Sequence, residues 1–203
     1  MERSPGPPHP APLPASPERL SRSDTALLVV DVQQRLLPAI SGAERIVWNC
    51  RRLLLGAELL GISVSVTEQN PEKLGPTDSR LPIGTRATRS SKMAFSAGAC
   101  GEIFADWRRA GVQRVLICGI ETHVCVVQTA LDLVAADYMT YVAADAVGSR
   151  RLADHETALR RLDSAGAVVT TVESALFELC EQAGTPEFRS ISALVKESPP
   201  AGS

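Results

Sequence analysis

A chain of 203 residues with 44% hydrophobic and 22% charged side chains fits one globular domain, on a prior of about 150 residues per domain. Its 21 Lys and Arg against 23 Asp and Glu leave a net charge of -2, which argues against a broad basic face for nucleic acid or an anionic membrane surface. The longest apolar runs, such as residues 26–30, are far too short to span a bilayer, and the first 20 residues lack the apolar core of a signal peptide. Five cysteines, odd in number and scattered, suit a reducing compartment, so a cytoplasmic protein is expected.

Residues 1–24 hold seven of the 14 prolines and few large apolar side chains. Such a segment buries too little surface to offset its ordering entropy, so it is expected to be a disordered tail, dispensable to a chain beginning near Ser23. The folded domain is expected over residues 25–196, with a second disordered tail at 197–203. Within the domain, residues 26–32 read as an apolar strand containing the carboxylate of Asp31. Ser41 and Glu44 have the spacing of a capping box, opening a helix whose buried face is Ile46, Cys50, Leu53, Ala57 and Leu60 and which Gly61 stops. Strands follow at 62–67, 112–119, 138–144 and 167–172. Helices are expected at 96–110, 122–136 and 152–164, from about Ser174 to Gly184, and at 187–195. A sixth strand has room within residues 69–95.

Alternating strands and helices with near-continuous apolar strands specify α/β architecture: a parallel doubly wound sheet with helices on both faces. Right-handed crossovers make the order 3-2-1-4-5-6 the economical topology for six strands, and chemistry then gathers at carboxyl ends beside the switch between strands one and four. No G-x-G-x-x-G follows the first strand, which excludes a dinucleotide-binding enzyme.

Three strand-end residues draw attention: Asp31 in V-V-D-V-Q, Lys92 in S-S-K-M-A-F-S and Cys125 in C-G-I-E-T-H-V-C-V-V. A thiol in the first turn of a helix meets free N–H groups and the positive end of the dipole, which favour the thiolate. A nearby carboxylate can take the thiol proton, and a lysine can orient that carboxylate. Spacing alone leaves open a structural reading in which Cys125 is a small core residue, Asp31 caps a loop and Lys92 is solvated. Gln33, Glu68, Gln69 and Phe95 stand near the same rim and are candidates to bind substrate. Arg86 and Arg89 fit either an acidic substrate group or solvent.

These motifs, in this order and spacing, resemble those of the nicotinamidase/isochorismatase-like cysteine hydrolases over about residues 25–195. The resemblance implies a six-stranded parallel isochorismatase fold and a catalytic triad of Asp31, Lys92 and Cys125. It implies cleavage of an amide or other C–N bond of a small molecule through a thioester on Cys125, in a homo-oligomer of two or more copies. Enzymes of this kind place a cis peptide at the position of Ile120–Glu121, so that the backbone N–H groups of Glu121 and Cys125 converge on the oxyanion. The zinc-binding nicotinamidases carry Asp-x-His and a further His after strand two. Here that segment reads T-E-Q-N-P-E-K-L-G-P-T, and the chain's three histidines, His9, His123 and His155, are dispersed, so no metal or other cofactor is expected. Isochorismatases that cleave a vinyl ether usually carry a small residue in place of the cysteine. Such a vinyl-ether hydrolase, or a non-catalytic binding relative, is the alternative.

Overall fold

The computed structural model describes residues 13–200, and the tail expectations for 1–12 and 201–203 lie outside it. The strands β1 (Thr25–Val30), β2 (Ser63–Gln69), β3 (Thr88–Lys92), β4 (Arg114–Ile120), β5 (Met139–Gly148) and β6 (Val168–Thr170) form one sheet of order β3-β2-β1-β4-β5-β6. Every neighbouring pair is parallel. The helices, in chain order, are α1 (Ala43–Leu60), α2 (Pro71–Leu74), α3 (Gly101–Ala110), α4 (Val127–Ala135), α5 (Leu152–Ser164), α6 (Val172–Cys180) and α7 (Pro186–Val195).

β1 is buried at all six positions because it runs down the middle of the sheet with apolar side chains on both faces. Leu27 and Val29 pack with α1, α6 and α7, whereas Ala26, Leu28 and Val30 pack with α3, α4 and α5. Gly119 permits the close approach of β4 to β1: its φ is 125°, and a Cβ there would lie 2.0 Å from the Val30 carbonyl oxygen. Among the described residues, no helix is long and apolar enough to cross a membrane.

Several local features differ from expectation. The sixth strand is β3, Thr-Arg-Ser-Ser-Lys, a polar edge strand that no hydropathy pattern announces. The helix expected from residue 96 starts at Gly101, after a 3-10 turn at Ala97–Ala99 capped by Ser96. The Ser41–Glu44 capping box does not form. Gly42 caps α1 in the left-handed region, and Glu44 pairs with Arg80 at 2.8 Å instead. β5 runs on to Gly148, past a register shift between Ile117 and Gly119 of β4.

Residues 17–20, expected to be part of a disordered tail, are instead fixed to the domain. Leu20 is buried and its N–H donates to Glu178 Oε2 at 2.9 Å. Tyr141 Oη donates to the Glu18 carbonyl at 2.6 Å, and Arg114 Nη2 donates to the Pro17 carbonyl at 2.7 Å. One leucine and three fixed backbone groups suffice to hold this stretch where β4 and β5 begin. At the other end, Glu197 is tied to Arg51 at 2.9 Å.

Candidate active site

Asp31 follows β1 directly, with φ of 51°, a left-handed conformation that aspartate tolerates better than most residues. Its N–H donates to the Thr67 carbonyl at 3.1 Å, and its side chain is fully buried. A carboxylate out of water needs partners for both oxygens. Oδ1 accepts from Thr67 Oγ1 at 2.7 Å and Oδ2 accepts from Lys92 Nζ at 2.6 Å. Lys92 ends β3, where the register sets it opposite Gln69. Its ammonium also donates to Gln69 Oε1 at 3.1 Å and to the Phe95 carbonyl at 2.8 Å.

Cys125 lies across the switch point. The helix expected over 122–136 is divided: Thr122–Val126 forms a π-helical turn, and α4 begins at Val127. Such turns are frequent at functional sites. The Ile120–Glu121 peptide that precedes this turn is cis. Cys125 is 5% exposed, and its thiol lies within reach of the Asp31 charge. Burial, followed by the Asp31 charge, pushes the thiol up to about 12, against the opposing pull of the Lys92 ammonium. This corrects the expectation of a helix start that favours thiolate, because desolvation beside a carboxylate keeps the proton on sulfur.

The π turn is held by two histidines. His123 Nδ1 shares a hydrogen bond with Ser149 Oγ at 3.0 Å, and His155 Nδ1 shares one with Thr122 Oγ1 at 3.0 Å. Glu121 accepts from the backbone N–H and Nε of Arg150, both at 3.1 Å.

The candidate substrate-binding residues take internal partners. Gln33 is fully buried, and its Nε2 donates to the carbonyls of Gln69 at 3.0 Å and Gly75 at 2.6 Å, while its Oε1 accepts from the Gln69 N–H at 2.8 Å. Gln69 faces Lys92 and donates to the Met93 carbonyl at 2.9 Å. Glu68 accepts from Thr77 N and Oγ1 at 2.7 and 2.6 Å. Phe95 contributes its carbonyl to Lys92, and the residue as a whole is 52% exposed. Arg86 lines a separate cavity of about 910 Å³ with residues of α1 and α3, and Arg89 is exposed on the edge strand. Sequence reasoning missed Thr67, Ser149, Arg150 and His155; for Thr67 the available signal was its place at the carboxyl end of a strand beside the switch.

Among the described residues, no three His, Cys, Asp or Glu side chains are grouped to hold a metal ion. At the carboxyl end of β2, Glu68 is already engaged by Thr77, and the segment that follows supplies no histidine, so the residues present do not fit a zinc centre.

A six-stranded parallel sheet of this order, with Asp31, Lys92 and Cys125 at its switch point, agrees with the resemblance carried by the sequence motifs. The chain belongs to the isochorismatase family, matching the isochorismatase domain over residues 25–174. It is 37% identical over 187 residues to isochorismatase domain-containing protein 2A of Mus musculus, a match covering 92% of this chain and 89% of the mouse protein. It is 36% identical over 186 residues to isochorismatase domain-containing protein 1 of Danio rerio; the match covers 89% of this chain but only 64% of the fish protein's length. The solved structure of MAR1 ribonuclease from Caenorhabditis elegans superposes with a TM-score of 0.84 at 34% identity, covering 90% of this chain and 94% of that one.

Proposed function

We propose that this chain is a cysteine hydrolase that cleaves an amide or other C–N bond of a small molecule through a thioester on Cys125. The observation that carries the reading is the buried Asp31 carboxylate, paired with Lys92 at 2.6 Å, with its charge acting on the buried Cys125 thiol. A thiol held protonated at neutral pH reacts when an adjacent base removes its proton during attack.

Asp31 takes the Sγ proton as sulfur bonds to the substrate carbonyl carbon, and the carbonyl electron pair moves onto oxygen. The N–H groups of Glu121 and Cys125 are assigned to that oxyanion. Its collapse breaks the C–N bond; the bonding pair stays on nitrogen, which receives the proton from Asp31. Water then gives a proton to Asp31 while attacking the thioester, and the acid leaves as the thiol takes that proton back. The proposal includes a homo-oligomer and a cytoplasmic setting, the latter supported by five cysteines that are all unpaired thiols.

Ammonia release from a panel of small amides, carbamoyl compounds and nicotinamide tests the reading. Release is expected from the wild type and not from Cys125→Ala. Equal release from both proteins would overturn it.

A further inference from the structure

Three oxygens surround the Lys92 ammonium and account for its three N–H bonds: Asp31 Oδ2 at 2.6 Å, the Phe95 carbonyl at 2.8 Å and Gln69 Oε1 at 3.1 Å. The lysine side chain is 1% exposed, so no donor of this group is left over to meet a ligand. Gln69 is itself gripped from both sides. Its backbone N–H and carbonyl are both bonded to the amide of the buried Gln33. Its own Nε2 donates to the Met93 carbonyl, which turns Oε1 toward the ammonium. That same bond anchors the turn delivering the Phe95 carbonyl, so the Gln69 side chain supplies one of the lysine's three acceptors and steadies a second.

From this arrangement we infer that Gln69 is a positioning residue, which aims the Lys92 ammonium at Asp31 and does not bind substrate, and that Gln33 positions Gln69 in turn. An amide suits the task because it offers a neutral oxygen: the whole charge of the ammonium remains for Asp31. A carboxylate at 69 would compete with Asp31 for the same cation. The consequence for catalysis rests on the hydrolytic reading, whereas the effect on Cys125 chemistry does not.

The test uses the full chain carrying Gln69→Leu or the near-isosteric Gln69→Glu, with iodoacetamide as the probe and peptide mapping to follow Cys125. Melting temperatures report whether each variant is folded. Both variants are expected to alkylate Cys125 at least about fivefold more slowly than wild type at neutral pH, because base assistance depends on an oriented carboxylate. In Gln69→Glu the rate–pH profile is expected to move, since two carboxylates then share one ammonium; a merely structural role would leave the profile in place. For any amide turned over, kcat falls while KM stays within about threefold. Unchanged alkylation in both variants, a Gln69→Glu profile that superposes on the wild type, or a rise in KM at constant kcat would each overturn the assignment. A wild type that cleaves no amide defeats only the hydrolytic reading, and the alkylation measurements still decide the role of Gln69.

Discussion

Lys92 Nζ lies 2.6 Å from Asp31 Oδ2, and the two side chains are 1% and 0% exposed. A pair this deep gains little net stability over an apolar pair, because both charges have left water. Removing one partner is another matter, since it strands the other charge.

Lys92→Met is therefore expected to cost about 3–5 kcal/mol in urea unfolding, the usual range for breaking a buried pair. The double variant Asp31→Asn/Lys92→Met, which strands no charge, is expected to recover most of that loss. A double variant as unstable as Lys92→Met would mean that packing around the lysine stem, rather than the stranded carboxylate, sets the cost.

Alkaline stability reports the Cys125 thiol. An unfolded chain releases this proton near 9.0, while the folded protein holds it up to about 12. Stability from this group is thus complete below pH 9 and is lost as pH rises toward 12. Cys100, Cys118 and Tyr141 are also raised and act in the same direction in every variant. Urea midpoints at about pH 8 and 10 are expected to fall further for wild type than for Cys125→Ala. Parallel declines would show that the thiol titrates alike in both states.

His155 acts at the acid end. Burial lowers it below its ordinary value of 6.5, with Arg45 adding to the effect and Glu156 opposing it. An unfolded chain takes up this proton first, so the contribution is present above pH 6.5 and is lost as pH falls below it. His155→Gln is expected to flatten the loss of stability between about pH 7 and 5. The same variant tests the Thr122 contact, because His155 Nδ1 and Thr122 Oγ1 lie 3.0 Å apart beneath the Cys125 turn. A wild-type slope retained in the variant would assign the acid sensitivity elsewhere.

Leu20 links the N-terminal stretch to the domain. At 2% exposure, Leu20→Ala is expected to cost about 2–3 kcal/mol. A chain beginning at Ser23 loses this leucine and the Glu18 carbonyl that Tyr141 uses, and is expected to melt about 4–10 °C lower. Identical melting curves for that chain and the full protein would show that the contact contributes nothing.

Asp31, Lys92 and Cys125 could be picked out of the chain because each stands at a boundary that local pattern reveals: an apolar run broken by a carboxylate, a lysine before a turn, a cysteine just past a glycine-ended strand. The sheet order was legible for a related reason, since buried parallel strands need apolar side chains on both faces and right-handed crossovers leave few arrangements. β3 was invisible because an edge strand of polar residues is defined by pairing with Ser65–Gln69, not by its own hydropathy. The partners of Asp31, Thr67 at a separation of 36 residues and Lys92 at 61, depend on how distant strand ends meet. The same holds for the Cys125 proton: a helix start favours thiolate locally, but burial against a carboxylate from another strand outweighs it. Hydropathy is written along the chain, whereas hydrogen-bond geometry and desolvation arise only when remote segments close around one another and exclude water.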